Sequence, residues 1–108
     1  MNLEQARRVA LSLPEVTEEP HHELSSFRVR GRIFATVPTD GKHLHVFVDE
    51  PHREQAVASE PHVFEKLWWG KKVVGVRVAL PKARPAVVSD LLRAAWSRKA
   101  PKRLMPAK

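Results

Sequence analysis

Apolar residues recur at helical spacing from the start of the chain. Leu3, Ala6, Val9, Ala10 and Leu13 fall on one face of residues 3–13, with Glu4, Gln5, Arg7 and Arg8 opposite. Asn2 followed three residues later by Gln5 has the form of a capping box, and Pro14 stops the helix. Thr17 to Glu23 is polar and contains Pro20, which predicts a loop. The pattern then changes. Phe27, Val29, Ile33, Phe34 and Val37 place β-branched and aromatic residues in two runs, 25–30 and 32–37, around Arg30-Gly31. Gly31 supplies the positive φ that a tight hairpin needs. Pro38-Thr39-Asp40-Gly41 reads as a second turn. Leu44, Val46 and Val48 then share one face of a third strand, which completes an antiparallel meander.

Asp49-Glu50-Pro51 predicts the acidic cap and first turn of a short helix running to about Ala58. Pro61 predicts another short helical turn through Trp68 or Trp69, ended by Gly70. Residues 73–80 alternate, with Val74, Val76, Val78 and Leu80 on one side and Arg77 on the other, as a fourth strand does. Pro85 opens a last helix whose Val87, Val88, Leu91, Leu92, Ala95 and Trp96 form the best amphipathic stripe in the chain. Each long helix must bury its stripe against the sheet. The fold class expected is therefore α+β: a two-layer sandwich, an antiparallel sheet of four or more strands with N- and C-terminal helices packed on it. Residues 1–99 form one domain in this reading, and 100–108 a basic, flexible tail.

Bulk properties narrow the function classes. A chain of 108 residues supports one core. The absence of cysteine excludes disulfides, thiolate metal sites and thiol nucleophiles. The first residues lack the basic stretch and apolar run of a signal peptide, and Val73 to Leu80 is far too short to span a bilayer, so a cytoplasmic protein without a membrane partner is expected. Charge changes the picture more. Residues 1–20 and 21–65 each carry a net −2, whereas residues 66–108 hold twelve basic groups against Asp90 alone. So polarised a chain draws anions to part of its surface, be they nucleic acid, anionic membrane or an acidic protein.

Two segments carry a resemblance. Ala10-Leu11-Ser12-Leu13-Pro14-Glu15-Val16, then Ser26-Phe27-Arg28-Val29-Arg30-Gly31-Arg32-Ile33-Phe34-Ala35, resemble the opening of the MmcQ/YjbR-like domains. The Trp-Gly-basic segment, the strand at 73–80 and the terminal helix follow in that family's order, so the likeness covers about residues 3 to 99. It implies a fold grouped with frataxin-like proteins and a double-wing shape, from which DNA binding is inferred for members. One departure stands out. Many members begin the fourth strand with tryptophan, where this chain has Val74-Gly75 and carries Trp68-Trp69 earlier.

Candidate sites follow from charge. Arg28, Arg30 and Arg32 flank the Gly31 turn, where guanidinium forks match phosphate oxygens; the structural alternative is a charged edge that discourages aggregation. Lys71, Lys72 and Arg77, with Lys82 and Arg84, sit at the ends and outer face of the fourth strand, as a phosphate patch or as a solvated surface. Trp68 and Trp69 suit stacking on unpaired bases, although such a pair more often places at least one ring in the core. Arg98, Lys99, Lys102, Arg103 and Lys108 add charge that the helix dipole alone also favours.

Other chemistries find less support. His43 and His45 are two apart on a strand, with His21-His22 elsewhere, but their spacing does not make a metal site, and no clustered carboxylates suit a hard cation. Ser25-Ser26 lacks a nucleophile elbow, and the glycines are isolated, so neither catalysis nor a cofactor is expected. The reading is a nucleic-acid-binding domain, DNA before RNA, non-specific or weakly specific. Its contacts are Arg28, Arg30, Arg32, Lys71, Lys72 and Arg77, helped by Arg98, Lys102 and Arg103. The alternatives are a module that docks its basic face on an acidic protein, and a small-ligand domain with a pocket between sheet and helices.

Overall fold

The first helix, α1 (Leu3–Ser12), begins where the sequence places its cap: Asn2 Oδ1 accepts from the Gln5 amide at 2.8 Å, and Gln5 Oε1 accepts from the Asn2 amide at 2.9 Å. The computed structural model describes residues 1–104. After α1 come strands β1 (Val16–His21), β2 (Leu24–Val29), β3 (Arg32–Val37) and β4 (His43–Val46). Helix α2 (Glu50–Ser59), strands β5 (Phe64–Trp69) and β6 (Lys72–Ala79), and helix α3 (Pro85–Lys99) follow. All six strands form one antiparallel sheet in the order β1-β2-β3-β4-β6-β5. The two-layer α+β arrangement expected from the periodicity is the one the chain adopts.

Two segments differ from the expectation, for physical reasons. The composition of Thr17 to Glu23 predicts a loop, yet Val16–His21 is an edge strand paired with β2 from Val16↔Val29 to His21↔Leu24. Pro20 is tolerated because an edge strand leaves half of its amides unpaired. The alternation is hidden because the half-buried Glu18 points towards α1, where Arg7 Nε donates to it at 2.8 Å. Glu18 also accepts from the Ser25 hydroxyl at 2.6 Å. Burial pushes its carboxyl up, but the bonds from Arg7 and Ser25 outweigh that and hold it below its ordinary value. The second difference is at 61–69, predicted as a helical turn and observed as β5. Gly70 has φ +59°, which fits a helix C-cap and a hairpin equally well. Here it is the first residue of a two-residue turn between Trp69 and Lys72.

The core lies between the sheet and the helices. Phe27, Phe34, Leu44, Phe64, Val76 and Val78 of the sheet meet Ala6 and Ala10 of α1, Ala56 of α2, and Val88, Leu92 and Ala95 of α3. Trp96 is 3% exposed, and its indole N–H donates to the Pro14 carbonyl at 3.0 Å, tying α3 to the end of α1. Gly75 is required by packing. A Cβ there would lie 2.1 Å from the Val46 carbonyl oxygen, where the chain leaving β4 crosses β6.

The other face of the sheet carries a polar row. Strand register aligns Glu19, Ser26, Thr36, His45, Arg77 and Glu65 across all six strands. Ser26 and Thr36 are buried, and among the described residues no buried side-chain polar atom lacks a partner. Residues 100–104 lie against the body. Ala100 and Leu104 pack on the core, and Lys102–Leu104 form a 3-10 turn. The remainder of the predicted tail, including Lys108, is outside the described residues.

Candidate functional site

Strand direction decides which basic residues meet. Because each neighbour in β1-β2-β3-β4-β6-β5 is antiparallel, β2, β4 and β5 run the same way. The β2–β3 turn (Arg30-Gly31) and the β5–β6 turn (Gly70-Lys71) therefore leave the sheet at the same end. Their hairpins are centred three strand positions apart, about 14 Å at ordinary strand spacing. Lys71 and Lys72 lie on one tip and Arg30 and Arg32 on the other. The C-terminus of α3 reaches the same end: Arg32 Nη1 donates to the Lys99 carbonyl at 3.4 Å, and Arg98 Nη1 donates to the Phe47 carbonyl at 2.7 Å.

The two tips differ in how their charges are met. Arg30 Nη1 is 3.1 Å from Glu15 Oε1, and Arg103 Nη2 is 3.6 Å from the other oxygen of the same carboxylate. Lys71, Lys72, Arg32, Arg98, Lys99 and Lys102 have no carboxylate within 4.0 Å among the described residues. Burial and the neighbouring Arg98 and Arg32 guanidiniums push the Lys99 ammonium below its ordinary value, as crowding of like charges does.

Arg28 and Arg77 lie elsewhere. Both point to the sheet face away from the helices. Arg28 donates to the Ser26 hydroxyl at 3.0 Å and to the Pro20 carbonyl at 3.1 Å. Arg77 donates to His45 Nε2 at 2.8 Å and lies 3.3 Å from Glu65 and 3.5 Å from Asp40. Burial, then Arg77, lowers the pKa of His45, which fits an imidazole that accepts the guanidinium N–H. Near the end of the sheet opposite the tips, a polar recess of about 230 Å³ is lined by His43, His62, Glu65, Arg77 and Lys82. Arg77 and His43 are already engaged there by carboxylates, Asp40 holding His43 Nδ1 at 2.7 Å.

A larger cleft, of about 1040 Å³, lies over the polar face of the sheet, where His21, His22, Leu24, Thr36 and His45 line it, and is bordered by both hairpins. Ile33 comes from the first hairpin, Leu67, Trp68, Trp69, Val73 and Val74 from the second, and Phe47 from the segment after β4. Arg98 and Lys99 line it, as do Asp49, Glu50 and Arg53 at the start of α2. The acidic pair is engaged locally: Asp49 caps α2 and holds His52 Nδ1 at 2.6 Å, and Glu50 lies 3.7 Å from Arg53. Trp68 and Trp69 are 57% and 73% exposed, so neither ring reaches the core as such pairs more often do. The short β4 leaves the sheet between the hairpins, and Trp68 and Trp69 both line the cleft there. No sequence periodicity signals the cleft, because tertiary contacts bring its walls together. Lys99 was visible only as a cation in a helix's last turn.

A family model described as YjbR matches residues 11–98. The chain belongs to the YjbR family. It resembles the crystal structure of Deinococcus radiodurans protein DR2400, a DUF419 domain, with a TM-score of 0.73 and 23% identity over 88% of this chain and 75% of that one. At that identity the likeness establishes the fold alone. No curated protein matches the chain. The family resemblance read from residues 10–16 and 26–35 is thus the correct one, and this YjbR-family domain has the helix-sheet-helix order the resemblance implied. Among the described residues, no three His, Asp or Glu side chains converge as metal ligands, and no helix is long and apolar enough to cross a membrane.

Proposed function

We propose that this YjbR-family domain binds nucleic acid, DNA in the first instance, without strong sequence preference, through the end of the sheet from which both hairpins project. The hairpins act as paired wings in this reading. The observation that carries it is the convergence of Lys71, Lys72, Arg32, Arg98 and Lys99 at one end of the molecule, none with a carboxylate within 4.0 Å among the described residues. Phosphate contact needs clustered cations rather than fixed spacing, and unpaired cations release counterions when they bind. Arg28 and Arg77, with internal partners on the sheet face, drop out of the contact set, and Arg30 and Arg103 enter it weakened by Glu15.

A fluorescence anisotropy titration with labelled DNA at 50 and 200 mM salt tests the proposal. Neutralising about 5 phosphates predicts an affinity loss of roughly 500-fold on duplex and roughly 100-fold on a single strand. A flat salt response rejects it. A second reading, a binding domain for a small anion, draws on the size of the cleft, which suits a small molecule.

A further inference from the structure

We infer that the cleft between the two hairpins holds unpaired bases, with Trp68 and Trp69 as stacking surfaces and Arg98 and Lys99 facing the strand's phosphates, so that the domain prefers single-stranded nucleic acid to duplex. The inference rests on the nucleic-acid reading and specifies its substrate.

Three observations carry it. Trp68 and Trp69 are the two most exposed large apolar side chains among the described residues, at 57% and 73%, and they are adjacent. Folding gains little from leaving two indoles in water, and an exposed aromatic patch marks a surface that meets a partner. Second, the same cleft carries cations. Arg98 and Lys99 line it, and Arg32 is held beside them by its bond to the Lys99 carbonyl. Burial, and after it the Arg98 and Arg32 guanidiniums, hold the Lys99 ammonium below its ordinary value, and an anion seated beside the three cations offsets their repulsion. An aromatic platform beside a positive track is what binding of a flexible strand requires, since every base has a face to stack and phosphates follow at each step. Third, size discriminates. A volume of about 1040 Å³ admits a base or two with their sugars, whereas a duplex, with its bases already stacked and paired, presents nothing that enters such a recess. Lys71 and Lys72, on the turn after the tryptophans, are placed to follow the backbone as it leaves the cleft.

The test uses intrinsic fluorescence, because Trp96 is buried and Trp68 and Trp69 report on the cleft. The whole chain is titrated at 50 mM salt with an oligothymidine of about 12 nucleotides, with the same strand annealed to its complement, and with thymidine monophosphate. The expected result is quenching by the single strand, with affinity at least about tenfold above that for duplex, and a further loss of about tenfold in each of Trp68→Ala and Trp69→Ala. Trp68→Phe and Trp69→Phe, which keep a ring, retain most of the affinity. Circular dichroism and the emission of Trp96 check that each variant is folded, as substitution at exposed positions predicts.

Duplex affinity equal to that for the single strand, or alanine variants with unchanged affinity, would overturn the inference and leave the nucleic-acid reading standing. Monophosphate binding as tightly as the strand would overturn it in favour of a small-ligand pocket. Failure of both strand and duplex to bind removes the inference and the nucleic-acid reading together.

Discussion

The two hairpins that leave the same end of the sheet are alike in length and unlike in construction. The β2–β3 turn, Arg30-Gly31, has positive φ at both residues, 53° and 79°, which is the type I′ pattern. The β5–β6 turn has its positive φ at Gly70, the first central residue, as in type II′. Around the first turn, Arg30 is bound to Glu15 and Arg32 to the last carbonyl of α3. Around the second, Lys71 and Lys72 have no such anchor among the described residues, and Trp68 and Trp69 stand in solvent. Equal numbers of charges thus have unequal meaning. The arginines of the first hairpin fasten it to the body, which lowers their value to a passing phosphate, while the lysines of the second have no ion pair among the described residues and its tryptophans are exposed. On the proposed nucleic-acid reading, binding is therefore concentrated on the second hairpin and its facing cations.

The largest effect comes from breaking the seat of the second hairpin. Gly75→Ala puts a Cβ where the Val46 carbonyl already lies, at 2.1 Å, and the atoms it meets are backbone of Val46 and Phe47, which leaves little room to give way. The expected cost is at or above the top of the roughly 1–3 kcal/mol range for overpacking, read as a large fall in the urea midpoint or as failure to fold. A glycine at the first turn is less critical, because a Cβ at Gly31 meets nothing within 4 Å and only its φ of +79° is strained. A Gly75→Ala protein with wild-type stability would show that the crossing of β4 over β6 is looser than described.

The next effect separates the hairpins by charge. Lys71→Ala with Lys72→Ala should flatten the dependence of log affinity on log salt by about 2, since each removes one phosphate contact. Arg30→Ala should change that slope by well under 1, because Glu15 already neutralises the guanidinium. A change of about 1 in the Arg30 variant, the full value of one phosphate contact, would mean that the anchored hairpin binds as well, charge for charge, as the projecting one.

How much of this was legible follows from the same residues. The helices at 3–12 and 85–99 and the strands at 32–37 and 72–79 announce themselves by period, because each buries a stripe or an alternate row. The edge strand at 16–21 does not, since its inward Glu18 is polar and satisfied by Arg7, a contact 11 residues away. Pro61 and Gly70 bracket β5 as they would a helix, and so predict one. The strand character of Phe64 to Trp69 depends on pairing with β6, a tertiary fact. The basic residues were all visible, but their division into paired and unpaired was not. That division depends on Glu15, Asp40 and Glu65, whose positions follow from strand order. Arg28 and Arg77, both expected among the contacts, lie on the polar face of the sheet, where Ser26 and Pro20 hold the first and His45, Glu65 and Asp40 the second.

A smaller effect concerns pH on the polar sheet face. Burial and Arg77 both disfavour protonated His45, so its folded-state pKa lies below the ordinary 6.5. The unfolded chain then binds more protons in that window, and stability rises with pH there. Lowering the pH through 6.5 towards the depressed folded value should lower the urea midpoint, and His45→Gln should flatten that part of the curve. Below it, Glu18, whose pKa is lowered, adds a second loss as pH falls through its folded value. A stability that increases on acidification from 7 to 5 would contradict the arrangement of His45 and Arg77.

The smallest effect tests the anchored tip. Arg30 holds a left-handed φ of 53°, a conformation that strains a long side chain and that asparagine adopts readily, and Asn-Gly is the favoured type I′ pair. Arg30→Asn should relieve that strain and give up the exposed pair with Glu15, itself worth about 0–1 kcal/mol. The net expectation is a gain of roughly 0.5 kcal/mol, or a rise of about 2–4 °C in Tm for a domain of this size. If Arg30 is instead chiefly a ligand contact, the variant loses affinity and flattens the salt dependence by about 1, half the effect of the double lysine variant. A stabilised Arg30→Asn protein with nearly unchanged salt dependence is what a structural arginine predicts, and it would leave the second hairpin as the surface on which binding depends.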